Sequence, residues 1–200
     1  MRKIIILLLT TFIFTQPEIE WTQTFGGSSG YSNGKSVEQT SDGGYIVTGS
    51  TNSGSDIWLI KTYANGEEEW NETFGGIYGD YGVSVEETSD GGYILVGNTS
   101  ISNSGPSWDI WLIKTNANGQ EEWSQTFGGI YEEYASSVEQ TSDGGYIITG
   151  STNSFASASD DAWLIKTNAN GEEEWNQTFS GGSGQDYSNS GKQTSDGGYI

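Results

Sequence analysis

The stretch Ser41-Asp42-Gly43-Gly44-Tyr45-Ile46, followed by Trp58-Leu59-Ile60-Lys61-Thr62 and Tyr63-Ala64-Asn65-Gly66, decides the fold because it recurs. The first block returns as Ser89 to Ile94, Ser142 to Ile147 and Ser195 to Ile200, and the second as Trp111 to Thr115 and Trp163 to Thr167. A third block, Trp21-Thr22-Gln23-Thr24-Phe25, returns at Trp70 to Phe74, Trp123 to Phe127 and Trp175 to Phe179. One unit is therefore about 52 residues long, the signature of a repeat architecture.

Each unit reads as four strands. Tyr45 to Thr51 is a β-rich run entered through an Asp-Gly-Gly turn, whose glycines permit positive φ. Asp56 to Thr62 follows, and Asn65-Gly66 then joins it to a strand from Glu67 to Phe74. Asn-Gly between two strand patterns signals a hairpin, and it recurs as Asn118-Gly119 and Asn170-Gly171. A short strand from Val83 to Thr88 closes the unit. This phase gives units at about 45–88, 93–141 and 146–194, with partial units at 19–40 and 195–200.

Hydrophobic alternation selects among repeat architectures. Ile57 and Leu59 lie on one face of their strand, yet Trp58 and Ile60 on the other face are equally apolar. A sheet buried on both faces fits a blade packed between two neighbours, so the expected fold is an all-β β-propeller of four-stranded antiparallel blades. A right-handed β-helix competes as a repeat fold, but its coils are usually shorter and lack a hairpin in every repeat. The chain stops inside the first strand of a unit, at Gly198-Tyr199-Ile200. The expectation is an incomplete ring, three full blades plus partial ones, from a longer protein.

The pattern Trp-x-x-Thr-Phe-Gly-Gly, then Ser-x-Asp-Gly-Gly-Tyr-Ile-x-x-Gly-x-Thr, then Asp-x-Trp-Leu-Ile-Lys-Thr resembles the propeller repeats of bacterial and archaeal exported proteins, including the SBBP-type repeat. It extends over essentially everything after Glu18. The resemblance implies a surface or secreted module and no particular ligand.

Composition agrees with many short strands: glycine is 30 of 200 residues, proline 2, and aromatic residues 13%. Acidic residues number 27 against 7 basic ones, a net charge of −20 that opposes binding to nucleic acid or anionic lipid head groups. Cysteine and histidine are absent, which removes disulfides, Ser-His and Cys-His nucleophiles and His-based zinc sites. Arg2 and Lys3 precede an apolar run from Ile4 to Phe14 that is too short to span a bilayer. Residues 1–16 are thus expected to be a signal peptide, residues 17–200 a secreted or cell-surface repeat domain without membrane insertion once the signal is removed.

Candidate chemistry is sparse. Acid pairs could serve glycoside hydrolysis, but Glu67 to Glu69, Glu121, Glu122 and Glu172 to Glu174 recur in every unit, as structural positions do. They are natural cross-strand partners for Lys61, Lys114 and Lys166. A sialidase needs an arginine cluster, and no arginine follows Arg2. Asn116-Ala117-Asn118-Gly119 and Asn168-Ala169-Asn170-Gly171 have the spaced oxygens of a calcium loop, and also those of an Asx-rich turn. The turn is the simpler expectation, and calcium through Asn116, Asn118, Asn168 and Asn170 is carried beside it. Asp56, Asp109 and Asp161 are expected to cap loops by accepting backbone amides, and Trp58, Trp111 and Trp163 to pack in the core rather than stack on sugars. The sequence therefore favours a noncatalytic scaffold or binding module for an unknown protein or glycan, with no cofactor; a glycan-binding lectin or carbohydrate-active enzyme is the alternative.

Overall fold

The computed structural model describes residues 20–26, 31–51, 56–100, 108–156, 159–182 and 184–200, so the expected signal peptide lies outside the described residues. Twelve strands and no helix are present among them: β1 (Asn33–Gln39), β2 (Tyr45–Thr51), β3 (Asp56–Thr62), β4 (Glu68–Phe74), β5 (Asp80–Glu87), β6 (Tyr93–Ser100), β7 (Trp108–Thr115), β8 (Glu121–Phe127), β9 (Glu133–Gln140), β10 (Tyr146–Thr152), β11 (Asp161–Thr167) and β12 (Glu173–Phe179). They form three four-stranded antiparallel sheets, β1 to β4, β5 to β8 and β9 to β12, each in sequential order.

The sheet begins one strand earlier than the unit read from sequence. The strand around Val83 to Thr88 does not close a unit: as β5 it pairs with β6, Val85 opposite Leu95, and opens the second sheet. Likewise Asn33–Gln39, assigned above to a partial unit, completes the first sheet. The physical reason is hydrogen bonding and not turn length, since 40–44 and 75–79 are both five residues long. Five residues, 40–44, close β1 onto β2 with Thr40 N–H donating to the Gly44 carbonyl at 3.0 Å, whereas Gly75-Gly76 carries the chain away from β4 to a new sheet. The polar outer strand is therefore β4, β8 or β12; β12 is exposed along most of its length.

The sheets pack face to face. Ile46, Ile57, Leu59 and Phe74 of the first meet Val85, Tyr93, Leu95 and Ile113 of the second. Ile94, Val96, Ile110, Leu112 and Phe127 on the second sheet's other face meet Val138, Tyr146, Ile148 and Ile165 of the third. The middle sheet is thus buried on both sides, which accounts for the loss of alternation in its sequence. First strands are neighbours from sheet to sheet, β1 with β5 and β5 with β9, and no comparable contact joins β4 to β8 or β8 to β12. After β12 only a single bridge, Gln193 to Tyr199, begins another pairing.

Candidate functional site

Antiparallel order gives every sheet the same two ends. At one end lie the Asp-Gly-Gly and Asn-Gly turns, all five residues long (40–44, 63–67, 88–92, 116–120, 141–145 and 168–172). At the other lie the connections between sheets and those following β2, β6 and β10, which span residues 52–55, 101–107 and 153–160 and differ in length.

The constant end is occupied by its own structure. Lys61 is only 3% exposed, and its ammonium meets Asp42 Oδ2 at 2.7 Å, Glu69 Oε2 at 3.3 Å and the Thr62 carbonyl at 3.0 Å. Lys114 repeats this with Asp90 and Glu122, and Lys166 with Asp143 and Glu174. The glutamate reaches its lysine because β4, β8 and β12 each carry a bulge there: Lys61 faces Trp70 and Thr62 faces Glu68, leaving Glu69 as the extra residue. The Lys61 ammonium, with the Thr40 hydroxyl and Gly44 amide, holds the Asp42 carboxyl down at about 2. The sequence expectation of a cross-strand lysine partner is met, and the second carboxylate, from the Asp-Gly-Gly turn, was missed because it is not cross-strand at all.

The bulge also turns the next residue outward, toward the following sheet. Trp70 meets Tyr93 edge-on at 5.7 Å, Trp123 meets Tyr146 at 5.8 Å, and Trp175 meets Tyr199 at 5.4 Å. Each of the first two rings lies over the hairpin glycine of the next sheet. A β-carbon on Gly119 would stand 2.5 Å from Trp70, and one on Gly171 2.4 Å from Trp123, where φ is already +76° and +77°. Trp21 makes the same contact with Tyr45, at 5.4 Å, although it lies in no strand.

Glutamates strap the first strands together. Glu86 Oε2 accepts the Gln140 amide of the next sheet at 2.6 Å, and Gln140 Oε1 in return accepts the Ser89 amide at 2.8 Å. Glu38 with Glu87, and Glu139 with Gln193, repeat the first of these bonds. Burial, opposed by the Gln140 amide, and the charges of Glu38 and Glu139 push the Glu86 carboxyl up to about 7.

The variable end differs in character. Ile77 is 88% exposed and Ile130 80%, and Tyr131 and Phe155 are more than half exposed on the same end. Below them carboxylates face one another across each sheet junction. Gly76 N–H donates to Asp80 at 3.0 Å, Gly129 N–H to Glu133 at 2.9 Å and Gly181 N–H to Asp186 at 2.7 Å. The backbone amides are thus taken by acids of the following sheet or segment. Asp109, expected to cap a loop, instead leaves its buried Oδ1 without a hydrogen-bond partner. Burial and the Glu133 charge push its carboxyl up to about 6. No sequence signal separated Asp80 and Glu133 from other acids, because the carboxylates they face, Asp56 and Asp109, lie in the preceding sheet.

Of the calcium candidates, Asn116 Oδ1 accepts the Asn118 and Gln120 amides, at 2.9 and 3.1 Å, and Asn168 Oδ1 accepts those of Asn170 and Glu172 at the same distances. Asn118 and Asn170 stand at the exposed hairpin tips, so the four side chains form two separate Asx turns. Among the described residues no three His, Cys, Asp or Glu side chains come together as a metal cluster. Trp163 is buried, while Trp58 and Trp111 are half-buried; Trp58 and Trp163 donate their indole N–H groups to Asn71 and Asn176. No model of a known protein family matches the chain, and no curated protein matches it either. The class defined by the structure is a repeated all-β protein of stacked antiparallel sheets.

Proposed function

We propose that the chain is a noncatalytic scaffold or binding module, part of a secreted or cell-surface β-propeller, and that it binds through its variable-loop end. The observation that carries this is the contrast between the two ends. At the constant end the conspicuous lysines, acids and tryptophans hold sheets to themselves and to one another. At the other end the connections after β2, β6 and β10 vary in length, and Ile77, Ile130, Tyr131 and Phe155 are exposed on connections at that end. Binding residues are commonly carried on loops held by such a scaffold, and clustered exposed apolar side chains mark contact surfaces. The propeller arrangement is supported by first strands that neighbour one another while fourth strands do not, as blades converging on an axis require.

Photo-crosslinkable residues at Ile77 and Ile130, compared with Ser41 and Asn118 at the constant end, test the reading on the exported protein in its native cell envelope or medium. Crosslinks to a partner from the first pair only are expected; equal yield from both ends refutes it. A panel of glycans and glycosidase substrates is expected to show no turnover, and reproducible hydrolysis would overturn the noncatalytic reading.

A further inference from the structure

The junction between the second and third sheets contains a charge arrangement that the fold itself does not explain. Asp109 is 8% exposed and Glu133 fully buried. Both oxygens of Glu133 are held: Oε1 accepts from the Thr152 hydroxyl at 2.9 Å and the Ser154 amide at 3.1 Å, and Oε2 accepts from the Gly129 amide, which leaves Oε2 a further lone pair. Asp109 Oδ1 is buried and has no donor. Both carboxylates face the backbone of Gly128. The position a β-carbon on Gly128 would occupy lies 2.2 Å from Asp109 Oδ1 and 2.8 Å from Glu133 Oε2, so both oxygens crowd the same point of the backbone, an approach that only glycine permits.

Two desolvated carboxylates of like charge repel, and a buried charge is normally paired or bound to a metal. Among the described residues all six ion pairs belong to Lys61, Lys114 and Lys166, at the opposite end of the sheets, so no lysine neutralises this pair. The outline recurs at the preceding junction, where a β-carbon on Gly75 would stand 2.5 Å from Asp56 Oδ1 and 2.9 Å from Asp80 Oδ2. Asp80 too is nearly fully buried.

We propose that Asp109 and Glu133 together bind a divalent cation of the hard, oxygen-preferring class represented by calcium, which clamps the second sheet to the third. Asp109 Oδ1 supplies the free ligand oxygen, and Glu133, oriented by Thr152, Ser154 and Gly129, supplies the second carboxylate. With only two protein carboxylates, affinity belongs at the weak end for calcium sites, at about 10⁻⁴–10⁻³ M. This assignment depends on the sheet junction alone and is independent of what the variable loops bind.

The test is calorimetric titration of the chelator-treated whole chain with calcium near neutral pH, for the native sequence, Asp109→Asn and Glu133→Gln. The Asn variant keeps the side-chain shape, and the Gln variant serves if it does not fold. The native protein is expected to bind calcium and to melt higher with it than in chelator. Each variant is expected to bind one equivalent fewer, whether or not the Asp56 and Asp80 junction also binds. Absence of binding up to about 10 mM, an order of magnitude beyond the weak range, overturns the proposal. So does unchanged stoichiometry in a folded variant. A native protein that binds no calcium, with Asp109→Asn raising the melting temperature equally with and without it, would assign the pair to a shared proton instead.

Discussion

Removing the charge from Asp90 and Glu122 together should destabilise the protein more than removing the lysine they hold. Lys114 is 4% exposed, whereas Asp90 is 61% and Glu122 46% exposed, so the ammonium depends on the carboxylates far more than they depend on it. In Asp90→Asn/Glu122→Gln the shapes persist, and the bonds from the Thr88 hydroxyl and Gly92 amide can be kept by the Asn carbonyl. The buried ammonium then has neutral acceptors only. An uncompensated buried charge costs about 3–5 kcal/mol, and the half-exposed side chains at positions 90 and 122, which let water approach the ammonium, place this one at the lower end of that range. Lys114→Met leaves two carboxylates that water can solvate and a Thr115 carbonyl deprived of one donor, a loss of about 1–2 kcal/mol. Urea unfolding of the single, double and triple variants measures these values, and the triple variant should recover most of what the double loses. If Lys114→Met loses as much as the double variant, or if the effects simply add, the proposed asymmetry is wrong.

Glu86 gives a pH dependence of defined sign. Its folded carboxyl is raised from 4.5 to about 7, so the fold binds this proton more tightly than the unfolded chain does. The stabilisation is complete below the unfolded value and is lost as pH rises through the folded one. Glu86→Gln should therefore add about 2 kcal/mol above pH ~8 and flatten the stability profile between pH ~5 and ~8, read by chemical denaturation across pH. Gly119→Ala should lose at least about 2 kcal/mol, because it combines a φ of +76° with a contact on Trp70, and Trp70→Ala in the same background should relieve part of that loss. Asn98→Val should lose about 1–3 kcal/mol by stranding the Ala135 amide, which donates to Asn98 Oδ1 at 2.8 Å across the sheet junction. Melting of these variants against the native protein provides the check, and a neutral Asn98→Val would mean that the junction repacks around the free amide.

Local chemistry made the strands legible. Tyr45 to Thr51 and Asp56 to Thr62 have the bounds read from sequence, because Asp-Gly-Gly and Asn-Gly turns mark their ends and both faces are apolar. The grouping of strands into sheets was not legible. Whether Val83 to Thr88 ends one sheet or begins the next depends on which neighbour offers it a hydrogen-bonding edge, and periodicity is identical for either phase. The same limit hid the functional geometry. Asn98 to Ala135, Trp70 to Gly119 and Asp109 to Glu133 are contacts between successive repeats, at sequence separations that no local pattern encodes. The two Asx turns show the converse ambiguity: Asn116 and Asn168 have ligand-like spacing because a turn that caps its own amides, the simpler expectation, needs that spacing too.

The recurrence of a residue therefore carries opposite meanings at the two ends. Lys61, Lys114 and Lys166 recur because each sheet must fix its own bulge, and the following tryptophan must reach the next hairpin glycine. A change in any one disturbs one sheet and one junction. The acids at the variable end recur in position but not in identity, with Asp80, Glu133 and Asp186 at successive junctions and Ser32 at the corresponding sequence position in the first. A purely structural hydrogen bond to the turn amide could be served by any of the three acids. Yet the longer Glu133 also engages Thr152 and Ser154, which fixes the connection bearing Phe155 relative to the one bearing Ile130. Charge at this junction is thus tied to the placement of the exposed apolar side chains above it. Glu133→Gln should in consequence alter crosslinking at Ile130 more than the equivalent change at Asp80 alters it at Ile77, and equal effects would separate the acid pair from the loop surface.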